Sequence, residues 1–286
     1  MGRQMARLRN AEYVPPRAVK VSSRVYSCLT TLNEWAYRMR ESRHLPNAPI
    51  TEAIIDFRVK LASDFKSEGL NPVVGRLKGR FPKADQLKAM QAVFEMKDGT
   101  FQPPETKPLG PNGYILRSED GRDIVQFRLD GFTYNRLKPY TRWEEVFPTA
   151  FELWNLYIEI ASPEIVTRLA TRYINHIRLP GLGIDFDDYL TAGPKIPPEL
   201  PQEISTFLIR LVLHDRERGL AANVTQALEP PVDPHFTTVI LDIDAYKVSD
   251  WPPKDPGIVE TIDRLRVFKN RVFFSHITEA TVRLFE

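Results

Sequence analysis

An α+β fold is predicted by three features of the sequence. Several short segments alternate apolar and polar residues with period two. Two longer segments carry apolar residues at helical spacing. Between them lie turn signals and Pro/Gly-rich connections. The expected architecture is an antiparallel sheet with long amphipathic helices packed on one face, with a hint of two similar β-rich/helix halves, about 47–180 and 181–286. Residues 1–46 form a separate basic arm.

Val21 to Arg40 has helical spacing, with Val25, Leu29, Leu32, Trp35, Ala36 and Met39 on one stripe. His44 to Pro49 is a linker, and Pro49 to Leu61 a strand. In that strand Ala53, Ile55, Phe57, Val59 and Leu61 face one way, while Glu52, Asp56, Arg58 and Lys60 face the other, with Ile54 among them. Ala62 to Phe81 is poorly patterned and broken at Asn71-Pro72 and Gly79. Gln86 to Lys97 reads as a strand, and the four prolines and two glycines of residues 101–113 as a loop.

The central stretch, Gly113 to Pro180, reads hairpin, helix, strand. Glu119-Asp120-Gly121-Arg122 is a turn, and Val125, Phe127 and Leu129 alternate with Gln126, Arg128 and Asp130. Asp130-Gly131 is expected to be a bulge. Thr141 and Glu144 fit a capping box, followed by Phe147, Ala150, Phe151, Trp154, Tyr157 and Ile158 at helical spacing, and Ser162-Pro163 ends the helix. The next strand carries Leu169, Tyr173 and Ile177 on its apolar side. Three more strands are expected at Ile204–His214, Leu220–Leu228 and Phe236–Tyr246. The first has Phe207, Ile209, Leu211 and Leu213 as core, and the third Val239, Leu241 and Ile243. Asp255-Pro256-Gly257 opens a last helix with Ile258, Ile262, Leu265, Phe268, Val272 and Phe273 buried, and Thr278 to Phe285 is a short strand or turn.

The motifs VQFRLDGFTYNRLKPYTRWEE, TRYINHI and LRVFKNRVFFSHIT, with NAPITEAIIDFRV at Asn47–Val59, resemble a sporadically distributed, uncharacterised bacterial protein family. The likeness spans Asn47 to Glu286. It implies a bacterial cytoplasmic protein, and its sporadic distribution suggests a defence or mobile-island setting. It implies no activity and no catalytic residue.

Of the 286 residues, 42% are hydrophobic and 27% charged, an ordinary globular composition. The single cysteine, Cys28, excludes an internal disulfide framework and suits a reducing compartment. No apolar run approaches a membrane span. Residues 1–46 hold nine Lys/Arg against three Asp/Glu, and the remainder thirty against thirty-four. The arm therefore offers a route to nucleic acid or an acidic partner. The acidic body argues against direct nucleic-acid binding.

The polar strand positions form the candidate working surface: Asp56, Arg168, Arg172, His176, Arg210 and His214. If 165–178 pairs antiparallel with 204–214, Arg168 comes near His214 and Arg172 near Arg210. Such a cation cluster either is neutralised by Asp56, Asp242 and Asp244 or binds an anionic partner. Asp242-Ile243-Asp244 is a weak metal candidate. Asp185, Asp187 and Asp188 lack a calcium-loop pattern, and Asn175 is expected to satisfy buried backbone groups. Walker, G-x-S-x-G, H-E-x-x-H and C-x-x-C motifs are absent, and no cofactor is implied. The reading is a binding or adaptor protein, its partner another protein. The alternative is a metal-assisted enzyme acting on a phosphate-bearing substrate through Asp242, Asp244 and the arginines.

Overall fold

A computed structural model describes residues 43–93, 96–97, 100–101, 105–230, 233 and 235–286. These belong to a unit running from Arg40 to Glu286. The expected helix at Val21–Arg40, and with it nearly all of the basic arm, lies outside the described residues.

The strands are β1 (Ile50–Lys60), β2 (Lys83–Val93), β3 (Met96–Lys97), β4 (Thr100–Phe101), β5 (Glu105–Arg117), β6 (Asp123–Arg128), β7 (Gly131–Leu137), β8 (Ile165–Pro180), β9 (Leu208–Asp215), β10 (Leu220–Leu228) and β11 (Phe236–Trp251). The helices are α1 (Pro72–Leu77), α2 (Trp143–Ala161), α3 (Phe186–Tyr189), α4 (Gly257–His276) and α5 (Glu279–Arg283), with a 3-10 turn at Ser67–Leu70. Nine strands join in one sheet of order β2-β5-β6-β7-β1-β8-β11-β10-β9, while β3 and β4 pair with each other. Every pairing is antiparallel.

This corrects the expected fold class. The molecule is dominated by one wide antiparallel sheet rather than by long helices laid over a smaller one, and three of the five helices among the described residues have six residues or fewer. The halves at about 47–180 and 181–286 share this one sheet. β1 pairs with β8 from Ile50–Asn175 to Lys60–Ile165, which fuses the strands on both sides into one sheet. A period-two pattern identifies strands but carries no information about how many will join edge to edge.

The core centres on aromatics supplied by neighbouring strands. Phe57, Phe127, Phe132, Tyr134, Trp154 and Tyr157 are all fully buried. Trp154 stacks on Phe57 with centroids 4.4 Å apart and on Tyr157 at 5.4 Å. Burying each such side chain stabilises the fold by about 1.5–3 kcal/mol. The alternation expected in β1 holds, since Ala53, Ile55, Phe57 and Val59 are buried.

Several local expectations change. Asp130-Gly131 is not a bulge: Arg128 pairs with Gly131, leaving Leu129-Asp130 as a two-residue hairpin loop. Residues 101–113 are not wholly loop, because β5 runs through the prolines from Glu105 onward. There it pairs with β2 alone, through two register shifts, while β6 joins only at Gly113–Arg117. A strand with one free side tolerates residues that cannot donate. The α2 cap falls on Arg142 rather than Thr141, and the Thr141 hydroxyl instead donates to Glu145 Oε2 at 2.7 Å. Thr278–Phe285 contains α5, capped by Thr278 accepting from the Thr281 amide, rather than a strand.

Candidate functional site

The polar positions of β1, β7, β8, β10 and β11 lie side by side, so their charges meet across strands. Asp56 of β1 is buried and contacts Arg58 Nε at 3.1 Å, Arg128 Nη2 at 3.3 Å, Arg168 Nη1 at 3.3 Å and the Thr133 hydroxyl at 2.7 Å. Arg168 also donates to both Asp244 oxygens at 2.8 and 2.7 Å, and its guanidinium lies 4.7 Å from the Tyr246 ring centroid. Asn223 donates to Asp244 Oδ2 at 2.9 Å. Arg172 makes a two-pronged pair with Asp242 at 2.8 and 2.6 Å. Its hydrogen bond to Asp242 holds the Arg172 guanidinium above its ordinary pKa, against the opposing effect of burial. Asp130 bonds both Arg128 and Arg58. Burial pushes its pKa up, but the two arginines outweigh this and leave it below the ordinary value.

The centre of the face is therefore a closed ionic lattice in which arginines and aspartates satisfy one another. Bidentate Arg–carboxylate pairs of this kind are geometrically strong. They also occupy the oxygens that a metal would need. Among the described residues no group of three or more His, Cys, Asp or Glu is arranged to hold a metal. A cleft of about 520 Å³ is lined by Val59–Ser63, Phe65, Leu129, Asp130 and Glu164, away from Asp242 and Asp244.

The assumed pairing of 165–178 with 204–214 is overturned. β8 pairs with β1 and β11, and β9 lies at the sheet edge beyond β10. Arg210 faces Thr225, which faces Asp242, while His214 faces Ala221, which faces Tyr246. At about 4.8 Å per strand, β8 and β9 are roughly 14 Å apart. Arg172 and Arg210 thus share a face without forming a cluster, and Arg168 and His214 are likewise separated. His176 sits elsewhere on β8, its Nδ1 3.3 Å from Glu229. Arg210 and His214 have no ion pair among the described residues.

The β9 core expectation also fails. Leu211 is 42% exposed, and Phe207, Ile209 and Leu213 are only partly buried. Leu208 and Val212, on the side of Arg210 and His214, are 73% and 48% exposed. Alternation gave their sides, but an edge strand lacks the second neighbour that completes burial.

Asn175 does satisfy the backbone, donating to the Leu241 carbonyl at 2.9 Å. Asp185 caps α3 through the Asp187 amide at 2.9 Å, and Asp187 bonds Lys195. His276 Nδ1 lies 2.7 Å from the Val272 carbonyl.

One group escaped the sequence reading. Lys269 of α4 is buried, with Nζ 3.4 Å from the Tyr173 ring centroid. The Tyr173 and Tyr140 hydroxyls are 3.1 Å apart. Burial, reinforced by the Arg266 charge, pushes the Lys269 pKa well below the ordinary lysine value. Its signal was a lysine standing four residues after Leu265 on an otherwise apolar stripe. Comparison of the chain with protein-family models, curated proteins and solved structures finds no match.

Proposed function

We propose that the chain is a non-enzymatic binding or adaptor protein that meets another protein along β9 and the adjoining reach of the polar sheet face. The observation that carries this reading is a contrast within one face. The central arginines are consumed by Asp56, Asp242 and Asp244, whereas among the described residues Arg210 and His214 stand without ion partners beside exposed Leu208 and Val212. Apolar side chains interleaved with an available cation are suited to protein recognition. The two-pronged arginine pairs at Asp242 and Asp244 weigh against the metal-assisted alternative. The single cysteine and the family resemblance support a cytoplasmic, defence-linked setting. Among the described residues no helix is long and apolar enough to cross a membrane.

The test is affinity purification from an extract of the source organism with the full chain as bait. A partner retained by wild type and by Arg172→Ala but lost by Arg210→Ala is expected. Retention by Arg210→Ala, or equal loss with Arg172→Ala, overturns the assignment of the surface to β9.

A further inference from the structure

Resting on that reading, we propose that β9 accepts an extended acidic and apolar segment of the partner as a tenth strand of the sheet. The Leu228 amide donates to the Phe207 carbonyl at 3.2 Å. β9 and β10 keep an unshifted antiparallel register from Leu208–Ala227 to Asp215–Leu220. Because inward and outward backbone groups alternate along such a pair, the N–H and C=O groups of Leu208, Arg210, Val212 and His214 point away from β10. Among the described residues they form an unpaired row on a strand of eight residues, about 27 Å long at ~3.4 Å per residue.

Edges are commonly protected by bulges, prolines or lysines. The opposite edge follows that rule: β2 meets β5 through register shifts between Leu87 and Lys88 and between Ala89 and Met90. β9 has neither a shift nor a proline, and it exposes Leu208, Leu211 and Val212. An open ladder with accessible apolar side chains on both faces fits strand addition, where main-chain bonds supply affinity and alternate side chains supply selectivity.

Charge fixes the occupant's chemistry. Arg210 and, in the following turn, Arg216 have no ion pair among the described residues. The strand's own carboxylate, Asp215, is held by Arg271 at 2.8 Å and Arg218 at 3.1 Å. An incoming segment therefore places acidic residues opposite Arg210 and His214 and apolar ones opposite Val212 and Leu211. A second copy fits less well, since two-fold pairing about Val212 sets His214, and no carboxylate, against Arg210.

The probe is a fluorescein-labelled ten-residue peptide with Glu and Val alternating on one strand face and Val throughout the other. Its control carries Lys for Glu. Fluorescence anisotropy uses the full chain as wild type, Val212→Pro and Arg210→Glu. Val212→Pro removes an outward N–H while leaving the β10 ladder intact, a position where edge strands accept proline. Saturable wild-type binding is expected, weakened at least tenfold by Val212→Pro. Arg210→Glu should reverse the preference toward the Lys peptide, a readout that stands even if Val212→Pro fails to fold. Equal binding by a folded Val212→Pro, or indifference to peptide charge, overturns strand addition. So does a concentration-dependent wild-type dimer that Val212→Pro abolishes, which gives the edge to a second copy. Loss of the native partner with Arg210→Ala but not with Val212→Pro leaves the surface reading standing and removes only strand addition.

Discussion

Lys269 shows how one residue can set a pH dependence. Its ammonium is buried against the Tyr173 ring, with Tyr140 behind that ring and Arg266 on its own helix. Glu144 pairs with Arg266 at 4.0 Å and also acts electrostatically on Tyr173 and Tyr140. Burial and Arg266 both disfavour the charged form. A lysine whose folded pKa lies below its unfolded value costs stability wherever the unfolded chain is protonated and the folded chain resists it. Stability therefore climbs with pH from the depressed folded value up to about 10.4, by at most about 1.4 kcal/mol per pH unit. Lys269→Met removes this dependence. Urea unfolding at a series of pH values should show the variant more stable than wild type near neutrality, with the gap closing as pH approaches 10. A constant gap would mean that Lys269 has an ordinary pKa.

At the scale of elements, the β6–β7 hairpin depends on a glycine for a reason outside the hairpin itself. Gly131 has φ +155°, and a Cβ there would lie 2.2 Å from the Phe57 carbonyl oxygen of β1. Gly113 stands in the same relation to Phe127, with 2.0 Å to its carbonyl oxygen. Both contacts are to backbone, which cannot swing away as a flexible side chain would. Gly131→Ala is expected to destabilise by about 2 kcal/mol or more through forced displacement of β1, read as a lower urea midpoint. Asp130-Gly131 interrupts the strand pattern in either case, because a bulge and a two-residue hairpin give the same local signal. Only the pairing of Arg128 with Gly131 separates them.

Across the whole molecule, the polar face joins strands distant in sequence through ions. Asp56 ties β1 to β6, β7 and β8, and Asp244 ties β11 to β8 and β10. Position within this lattice decides what each charge contributes. Asp56→Asn leaves buried Arg128 with less compensation and should cost about 3 kcal/mol. Asp242→Asn removes the partner of Arg172, whose side chain is 43% exposed, and should cost under about 1 kcal/mol because water replaces the pair. Equal losses in urea titrations of the two variants would contradict this difference between the buried pair at Asp56 and the half-exposed pair at Asp242.

Much of the element content was legible. β1, β8, β10 and the two longer helices follow from alternation, helical spacing and prolines, because those signals act within a few residues of chain. The side of each strand on which Arg168, Arg172, Arg210, Asp242 and Asp244 stand was readable for the same reason. Tertiary structure alone decided that nine strands share one sheet, that β9 is its exposed edge, and that Arg168 and Arg172 belong to Asp244 and Asp242 rather than to a free cluster. Strand order and register are set by contacts between segments up to a hundred or more residues apart, and a local pattern has no term for which neighbour a strand will find.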